Sequence, residues 1–268
     1  MKDDSLIKLI QIALSEDIPE EDITSQLCFD EDPIGVAQIV AKEDGIFYGE
    51  SIINTIFEVS HTKVDITLTK KDGDALQTQD RIATIRGPIQ TLLKTERTLL
   101  NFLQRLSGIA TLTNQFKKKL NNPNIQILDT RKTTPAMRFL EKAAVIAGGG
   151  QNHRIGLSDM VLIKENHLKE LENHGKLNTL DTRLKQFKEK NPRTQIEIEI
   201  TNNKQLHTLD LSKADIVMLD NFDRKNIQDA ITTCQTKYPH IQIEVSGNIS
   251  LDTIGYYSDL EIHRISVG

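Results

Sequence analysis

Cysteine is scarce in this chain, long apolar runs are missing and positive charge is not in excess. Each absence removes a class of protein. The two cysteines, Cys28 and Cys234, stand far apart. Neither has a second thiol or a histidine at metal-ligand spacing, which argues against a disulfide framework and against a zinc site. No apolar stretch approaches the ~20 residues a membrane helix needs. The N-terminus, MKDDSLIKLIQIALSED, is acidic and amphipathic, without a signal peptide's basic start, long apolar core or small-residue cleavage site. The expected location is cytoplasmic. A formal net charge of -5 argues against a general nucleic-acid binder, whose affinity comes largely from neutralising phosphates. Any attraction for anions must be local. There is no repeat or low-complexity tract, no Gly-x-Gly-x-x-Gly after the first strand and no Walker-type loop; the nearest approach to a linker is NNPN at 121 to 124.

What is present is ordinary in bulk and informative in pattern. A length of 268 residues, 38% apolar and 26% charged, allows one large core or two modest domains, and a (β/α) barrel alone typically takes ~250 residues. Leu6, Ile7, Ile10 and Leu14 recur at helical spacing, with Asp3 and Asp4 placed to favour the helix N-terminus. Short β-type runs follow at 36 to 42, 64 to 69 and 81 to 85, separated by turns such as Lys71-Asp72-Gly73-Asp74. This predicts an antiparallel α+β sandwich. Pro88 then opens a long helix in which Leu92, Leu93, Glu96, Leu99, Leu100, Leu103 and Leu106 trace one face, with Gly108 at its end. Arg97 sits at the edge of that face, where an arginine commonly packs its stem and solvates its head.

From Ile125 onward short apolar runs alternate with helix-length intervals: IQIL, DMVLI, QIEIEI, DIVML, IQIEV and HRISV. That rhythm predicts βαβ units and a parallel sheet, a barrel rather than a doubly wound sheet. Asp129 to Lys132, Lys164, Glu199, Asp220 and Ser246-Gly247 all fall at carboxyl ends of these runs, the face on which barrels of this kind build active sites. Taken singly, Lys164 reads equally well as a surface lysine, Asp220 as a helix N-cap and Ser246-Gly247 as a turn. Period two in Ile196 to Ile200 sends the isoleucines to one side and Glu197 and Glu199 to the other. Two inward acids are costly unless they meet cations, hydroxyls or a metal.

The segment DTRKTTPAMRFLEKAAVIAGGGQNHR, Asp129 to Arg154, brackets one helix-length stretch between cationic clusters. With Lys164, the set Arg131, Lys132, His153 and Arg154 suits a ligand carrying several negative charges. Glu199 and Asp220 supply acceptors for sugar hydroxyls or oxygen ligands for a hard cation such as Mg2+, often through water. Ser246, Gly247 and Asn248, with the terminal Ser266-Val267-Gly268, follow the last two strands, the usual phosphate position in such barrels. Together these describe a phosphosugar beside a polyanionic partner.

The runs ERTLLNFLQRLSGIATLT, DTRKTTPAMRFLEKAAVIAGGGQNHRIGLSD, VLIKENH, IEIEI, ADIVMLDNF, IEVSGNIS and RISVG resemble the nicotinate-nucleotide pyrophosphorylase (carboxylating), or quinolinate phosphoribosyltransferase, family. The opening ALSEDIPEEDITS resembles that family's as well. The resemblance implies a type II phosphoribosyltransferase: an N-terminal α/β sandwich with a long connecting helix over 1–108, then an incomplete α/β barrel of the seven-stranded type over 109–268, whose last segment is a candidate to return to the first domain. It implies transfer of phosphoribosyl to quinolinate with decarboxylation, giving nicotinate mononucleotide, pyrophosphate and CO2 in NAD synthesis, with Mg2+ as cofactor. By the same resemblance Arg131, His153, Arg154 and Lys164 hold the carboxylates, with Thr130 beside Arg131. Lys132 lies near the donor; Lys132, Lys164, Glu199 and Asp220 form the catalytic set; Glu199 and Asp220 face ribose and metal. Ser246, Gly247, Asn248, Val267 and Gly268 cradle the 5-phosphate. Arg97 comes from a neighbouring subunit of a homodimer or larger homo-oligomer, and neither nucleic acid nor membrane is a partner.

Departures from the family pattern are Ala143 and Ile146-Ala147 in place of an aromatic and an Arg-Cys pair, which implies altered packing behind the site. Asn248 replaces a frequent second glycine, and family members usually continue past the position of Gly268 with a short segment that closes the phosphate loop. Three rivals remain at this level: a molybdenum-pyrophosphorylase-like paralogue, disfavoured by DTRKT, NHR and IKENH; an aldolase-type barrel with Lys164 as a Schiff-base nucleophile; and a ligand-sensing barrel, which would more naturally lack Glu199 or Asp220.

Overall fold

In a computed structural model of the chain, residues 2 to 268 are described, with side chains from Asp4 onward. The Asp3 side chain, assigned above to the first helix's N-terminal end, lies outside them. The chain divides into two compact units. One comprises residues 1–114 and 134–149; the other comprises 115–133 and 150–268.

The first unit opens with helix α1 (Lys2–Asp17) and a short α2 (Ile23–Cys28), capped by Asp22, whose Oδ1 accepts from the backbone N–H groups of Thr24 and Ser25. Strand β1 (Ile34–Val40) pairs antiparallel with β5 (Arg81–Pro88), which pairs on its other side with β3 (Asp65–Leu68). A two-stranded pair, β2 (Gly45–Ile46) with β4 (Ala75–Leu76), stands apart. Helix α3 (Glu50–Val59) occupies a stretch for which the strand-and-turn pattern names no element. Its Ile52, Ile53, Ile56 and Phe57 recur at helical spacing and are buried, so packing overrides the β preference of branched residues.

Helix α4 (Ile89–Leu120) is longer than its sequence suggests, because it runs through Gly108. A glycine inside a helix costs only about 1 kcal/mol relative to alanine, and the apolar pattern continues beyond it through Ala110, Phe116 and Leu120, all buried. The helix ends at Asn121, whose φ of 49° is the left-handed conformation that stops helices. Its buried face also differs from expectation. Leu93 is 43% exposed and Glu96 is exposed, while Leu92, Thr95, Leu99, Phe102, Leu103 and Leu106 are buried.

Residues 134–149, placed in the second domain by a single boundary at 108, belong to the first unit. They carry α5 (Arg138–Ala147), whose Leu140 and Ala144 join that unit's core. The Glu141 carboxylate accepts from Arg105 Nη2 at 2.6 Å and Nε at 3.2 Å, and from the Thr134 N–H at 3.2 Å. Gly148 is required by close approach, since a Cβ there would lie 2.3 Å from the Ala110 carbonyl oxygen. Ala143 and Ala147 pack at the edge of this core, and Ile146 is 47% exposed.

The second unit is one parallel sheet of six strands, in the order β6 (Gln126–Leu128), β11 (Arg264–Ser266), β10 (Gln242–Ser246), β9 (Ile216–Asp220), β8 (Ile196–Ile200), β7 (Val161–Ile163). Helices α6 (Glu165–Asn173), α7 (Leu180–Lys190), α8 (Asn203–Thr208) and α9 (Asn226–Lys237) fall in the intervals. The sheet stays open between β6 and β7; beyond β6, among the described residues, there is a single parallel bridge, Leu128 to Gln151. This is the incomplete α/β barrel expected. The C-terminal residues stay in this unit. As the period-two pattern requires, Ile196, Ile198 and Ile200 enter the core with Leu184, Leu206 and Ala230, while Glu197 and Glu199 face the other way and are also buried. Among the described residues no helix is long and apolar enough to cross a membrane.

Candidate active site

All six strands deliver a residue or the loop after it to one cavity of about 380 Å3 at their carboxyl ends. Its lining includes Thr130, Arg131 and Lys132 after β6, Lys164 after β7, Glu199 on β8, Asp220 and Asn221 from β9, Ser246 to Asn248 from β10, and Ser266 on β11. His153 and Arg154 complete it, along with Leu162 and Met218 from the sheet.

The charges inside are ordered. Lys164 Nζ lies 2.7 Å from Glu199 Oε2, a pair with its lysine half exposed and its acid buried. Glu199 Oε1 accepts more weakly from the Glu165 N–H at 3.4 Å. Arg154 Nη1 donates to the Met160 carbonyl at 3.3 Å, and burial first, then the neighbouring Arg131, lower the Arg154 pKa. Glu197 and Asp159 act the other way, and two neighbouring guanidinium groups in one cavity form a receptor for a polyanion. Thr130 Oγ1 accepts from the Lys132 N–H at 3.0 Å, fixing the first turn of that loop.

The lining residues that follow β9 and β10 are neutral or acidic. Asp220 Oδ2 accepts from Asn221 Nδ2 at 2.7 Å, Asn221 Oδ1 accepts from Asn248 Nδ2 at 3.1 Å, and the Asn221 N–H reaches the Ser246 carbonyl at 2.9 Å. Gly247 has φ 97°, and a Cβ on it would lie 2.2 Å from Asn221 Oδ1 and 2.8 Å from the Asn221 backbone nitrogen. Asn248, the departure noted above, takes φ 50°. Asparagine tolerates that left-handed conformation better than other side chains, so the turn survives loss of the glycine.

Three expected site residues do not line the cavity. Val267 packs against the hydrophobic core, and its N–H donates to the Leu128 carbonyl at 2.9 Å. Gly268 lies against Lys132, where a Cβ would be 3.1 Å from Cδ. Arg97 is exposed on α4 in the first unit. Ser266, placed above in the terminal phosphate run, does line the cavity, whereas Asn221 was passed over, as was the meeting of Glu197 with Glu244 and Arg264 in a buried group beneath His153. There His153 Nε2 lies 3.0 Å from Glu197 Oε2 and 3.5 Å from Glu244 Oε1, while Glu244 Oε2 lies 2.7 Å from Arg264 Nε. Glu244 was detectable: it stands between Ile243 and Val245 on β10 as Glu197 stands between isoleucines on β8.

Burial works against an imidazolium at His153, but the two carboxylates outweigh it and push the pKa up to about 9. The Arg154 N–H lies 2.7 Å from His153 Nδ1, so the ring is held at both nitrogens. Burial and the nearby Glu244 raise Glu197 against the lowering effect of His153. The interactions with His153 and Arg264 hold Glu244 low despite its burial.

Residues 109–268 match the family model described as quinolinate phosphoribosyl transferase, C-terminal domain, and residues 22–107 match the corresponding N-terminal domain. The chain belongs to the quinolinate phosphoribosyl transferase family. Among curated relatives, a probable nicotinate-nucleotide pyrophosphorylase (carboxylating) of Bacillus subtilis is 39% identical, the match covering 98% of this chain and 88% of the relative. The nicotinate-nucleotide pyrophosphorylase (carboxylating) of Mycobacterium leprae is 31% identical over 97% and 90%. Among solved structures, the nicotinate-nucleotide pyrophosphorylase of Francisella tularensis superposes with a TM-score of 0.88 at 36% identity, covering 99% of this chain and 91% of that one. The described fold, an antiparallel first unit and an open parallel barrel, is thus that of the quinolinate phosphoribosyl transferases.

Proposed function

We propose that this chain is a quinolinate phosphoribosyltransferase (decarboxylating), which transfers phosphoribosyl from phosphoribosyl pyrophosphate to quinolinate and releases pyrophosphate and CO2 to give nicotinate mononucleotide for NAD synthesis. The observation that carries this reading is the convergence on one cavity of Arg131, Arg154 and Lys164 with Glu199, Asp220 and the Ser246 to Asn248 turn. Cations suited to a diacid stand beside acceptors suited to a sugar.

In this reading Arg131, Arg154 and Lys164 grip the quinolinate carboxylates, and Lys132 lies at the donor. Glu199 and Asp220 accept from ribose hydroxyls. The backbone of Gly247 and Asn248, with Ser246, receives the 5-phosphate. The pyridine nitrogen bonds the anomeric carbon as the bond to pyrophosphate breaks, through an oxocarbenium-like state; one carboxylate then leaves as CO2, its bonding electron pair staying on the ring carbon, which takes up a proton from water. The protein's part is positioning and electrostatic stabilisation rather than a covalent intermediate. A monoacid such as nicotinate leaves a guanidinium desolvated without a partner, which penalises it.

The donor set fits Mg2+. Glu199, Asp220 and Asn221 line one cavity, and Mg2+ is commonly held by one or two carboxylates together with water and substrate phosphates. Because Lys164 already engages Glu199 Oε2, Asp220 is the principal candidate ligand. Bound there, the ion supplies charge neutralisation for departing pyrophosphate. A homo-oligomer in which Arg97 enters a neighbouring subunit's site completes the proposal; it rests on the family resemblance and on the exposure of Arg97. The primary test is pyrophosphate release from phosphoribosyl pyrophosphate that depends on quinolinate.

A further inference from the structure

Strands β9 and β10 end level with one another, Asp220 opposite Ser246, and the ladder runs one bond further, from the Asn221 N–H to the Ser246 carbonyl at 2.9 Å. Beyond that bond three residues turn left-handed together: Asn221 with φ 55°, Gly247 with φ 97° and Asn248 with φ 50°. Such backbone outside glycine is strained, and it is retained mainly at ligand clamps, where the surroundings over-determine it. The Asn221 amide has one workable orientation. A carboxylate oxygen only accepts, so Nδ2 faces Asp220 Oδ2 at 2.7 Å and Oδ1 faces Asn248 Nδ2 at 3.1 Å. The same oxygen backs onto Gly247, where a Cβ would lie 2.2 Å from it and 2.5 Å from Asn221 Cγ. All five residues, Asp220, Asn221, Ser246, Gly247 and Asn248, line the cavity.

We propose that Asn221 is a positioning residue for the phosphoribosyl donor: its amide ties the Asp220 carboxylate to the Ser246 to Asn248 turn, and so sets the offset between the acid that meets ribose and the cradle of the 5-phosphate. This rests on the reading that Asp220 and that turn bind the donor. The β ladder fixes where the two strands end, but not how a side chain at the end of one is aimed against a loop leaving the other. Asn221 supplies that tie, with a hydrogen bond to a charged acceptor on one side and a face packed on glycine on the other. Asparagine suits the position because it tolerates the left-handed backbone, whereas aspartate would set an acceptor against Asp220. Its bonds all run to the ends of β9 and β10, so its effect falls on the donor and not on the diacid.

Asn221→Gly tests it, because glycine accepts φ 55° and only the amide is lost. The variant is expected to raise the KM for phosphoribosyl pyrophosphate about tenfold, the loss of one hydrogen bond to a charged acceptor, with the KM for quinolinate changed by less than about twofold. Asn221→Asp keeps the shape but replaces the donor by an acceptor, and is expected to do no better than glycine. Equal rises in both KM values, wild-type values in Asn221→Gly, or rescue by aspartate overturn the proposal. Binding of ribose 5-phosphate, read by calorimetry, should weaken about tenfold in Asn221→Gly but less than about threefold when that change is added to Asp220→Ala, because the amide acts partly through the carboxylate. A full tenfold loss in both backgrounds overturns it. If the wild type neither binds ribose 5-phosphate nor releases pyrophosphate with quinolinate, the functional reading fails on its own. The tie is then still decided in the free protein labelled with 15N: the two Asn221 amide protons, assigned by their loss in Asn221→Gly, are expected to be widely separated in shift and to draw together in Asp220→Ala. An equal separation in both proteins overturns the proposal.

Discussion

Arg154 and Lys164 owe their places to different partners, so their removal separates two parts of the site. Arg154 is fixed by His153 and by the Met160 carbonyl, whereas Lys164 is fixed by Glu199. Each is expected to contribute about 1.5–3 kcal/mol to binding the diacid, the range for a charge-assisted contact. Arg154→Ala and Lys164→Ala should therefore raise the quinolinate KM roughly ten- to a hundredfold. Saturation at wild-type concentrations in both variants would remove them from the diacid pocket. Lys164 also answers the aldolase rival. Its ammonium is committed to a carboxylate at 2.7 Å, and borohydride trapping with a carbonyl substrate is expected to leave it unmodified. Cys234 is buried and its thiol is pushed up to about 11, in keeping with the absence of thiol chemistry from the sequence reading.

At the scale of elements, the turn after β10 and the excursion carrying α5 make separate predictions. Gly247→Ala forces a side chain into φ 97° against Asn221, at about 1–2 kcal/mol of backbone strain before any clash. It should raise the KM for phosphoribosyl pyrophosphate well above that of an Asn248→Gly variant, which is expected to stay near wild type. The α5 excursion is tied down by Glu141. Its burial opposes ionisation, but Arg105 and Thr134 outweigh that and hold its pKa below the ordinary carboxylate value. A folded pKa below the unfolded one stabilises above the ordinary carboxylate range and is lost as pH falls through the folded value. Denaturant unfolding should show the wild type losing more stability than Glu141→Gln between neutral and acidic pH; parallel losses would show that the carboxylate contributes nothing.

These elements also show which parts of the fold were legible. The six barrel strands could be read from apolar runs, and their equipped ends could be read because strand direction decides which end faces the loops. The Glu197 and Glu199 alternation told which way both acids point, though it could not tell that Glu197 meets a histidine 44 positions earlier while Glu199 meets Lys164. Helix α3 was hidden by branched residues that suit strands, and the end of α4 was misplaced because Gly108 mimics a stop. The membership of residues 134–149 in the first unit depends on long-range packing of Leu140 and Ala144, which no local pattern encodes.

At the scale of the whole molecule, a shared site predicts complementation. Arg97→Ala and Glu199→Ala chains, each inactive alone, should regain partial activity as mixed oligomers; no recovery in verified mixed oligomers would place Arg97 outside the site. Metal removal belongs to the same scale: a chelator should abolish turnover and added Mg2+ should restore it, while activity that persists in chelator would leave Glu199 and Asp220 to the ribose alone. The central claim is that one cavity pairs a diacid with a phosphoribosyl donor. It is tested most directly by measuring pyrophosphate release from phosphoribosyl pyrophosphate with quinolinate, with nicotinate and with no acceptor. Release with quinolinate alone, accompanied by CO2, is the predicted result; equal release with nicotinate, or none with quinolinate, would contradict it.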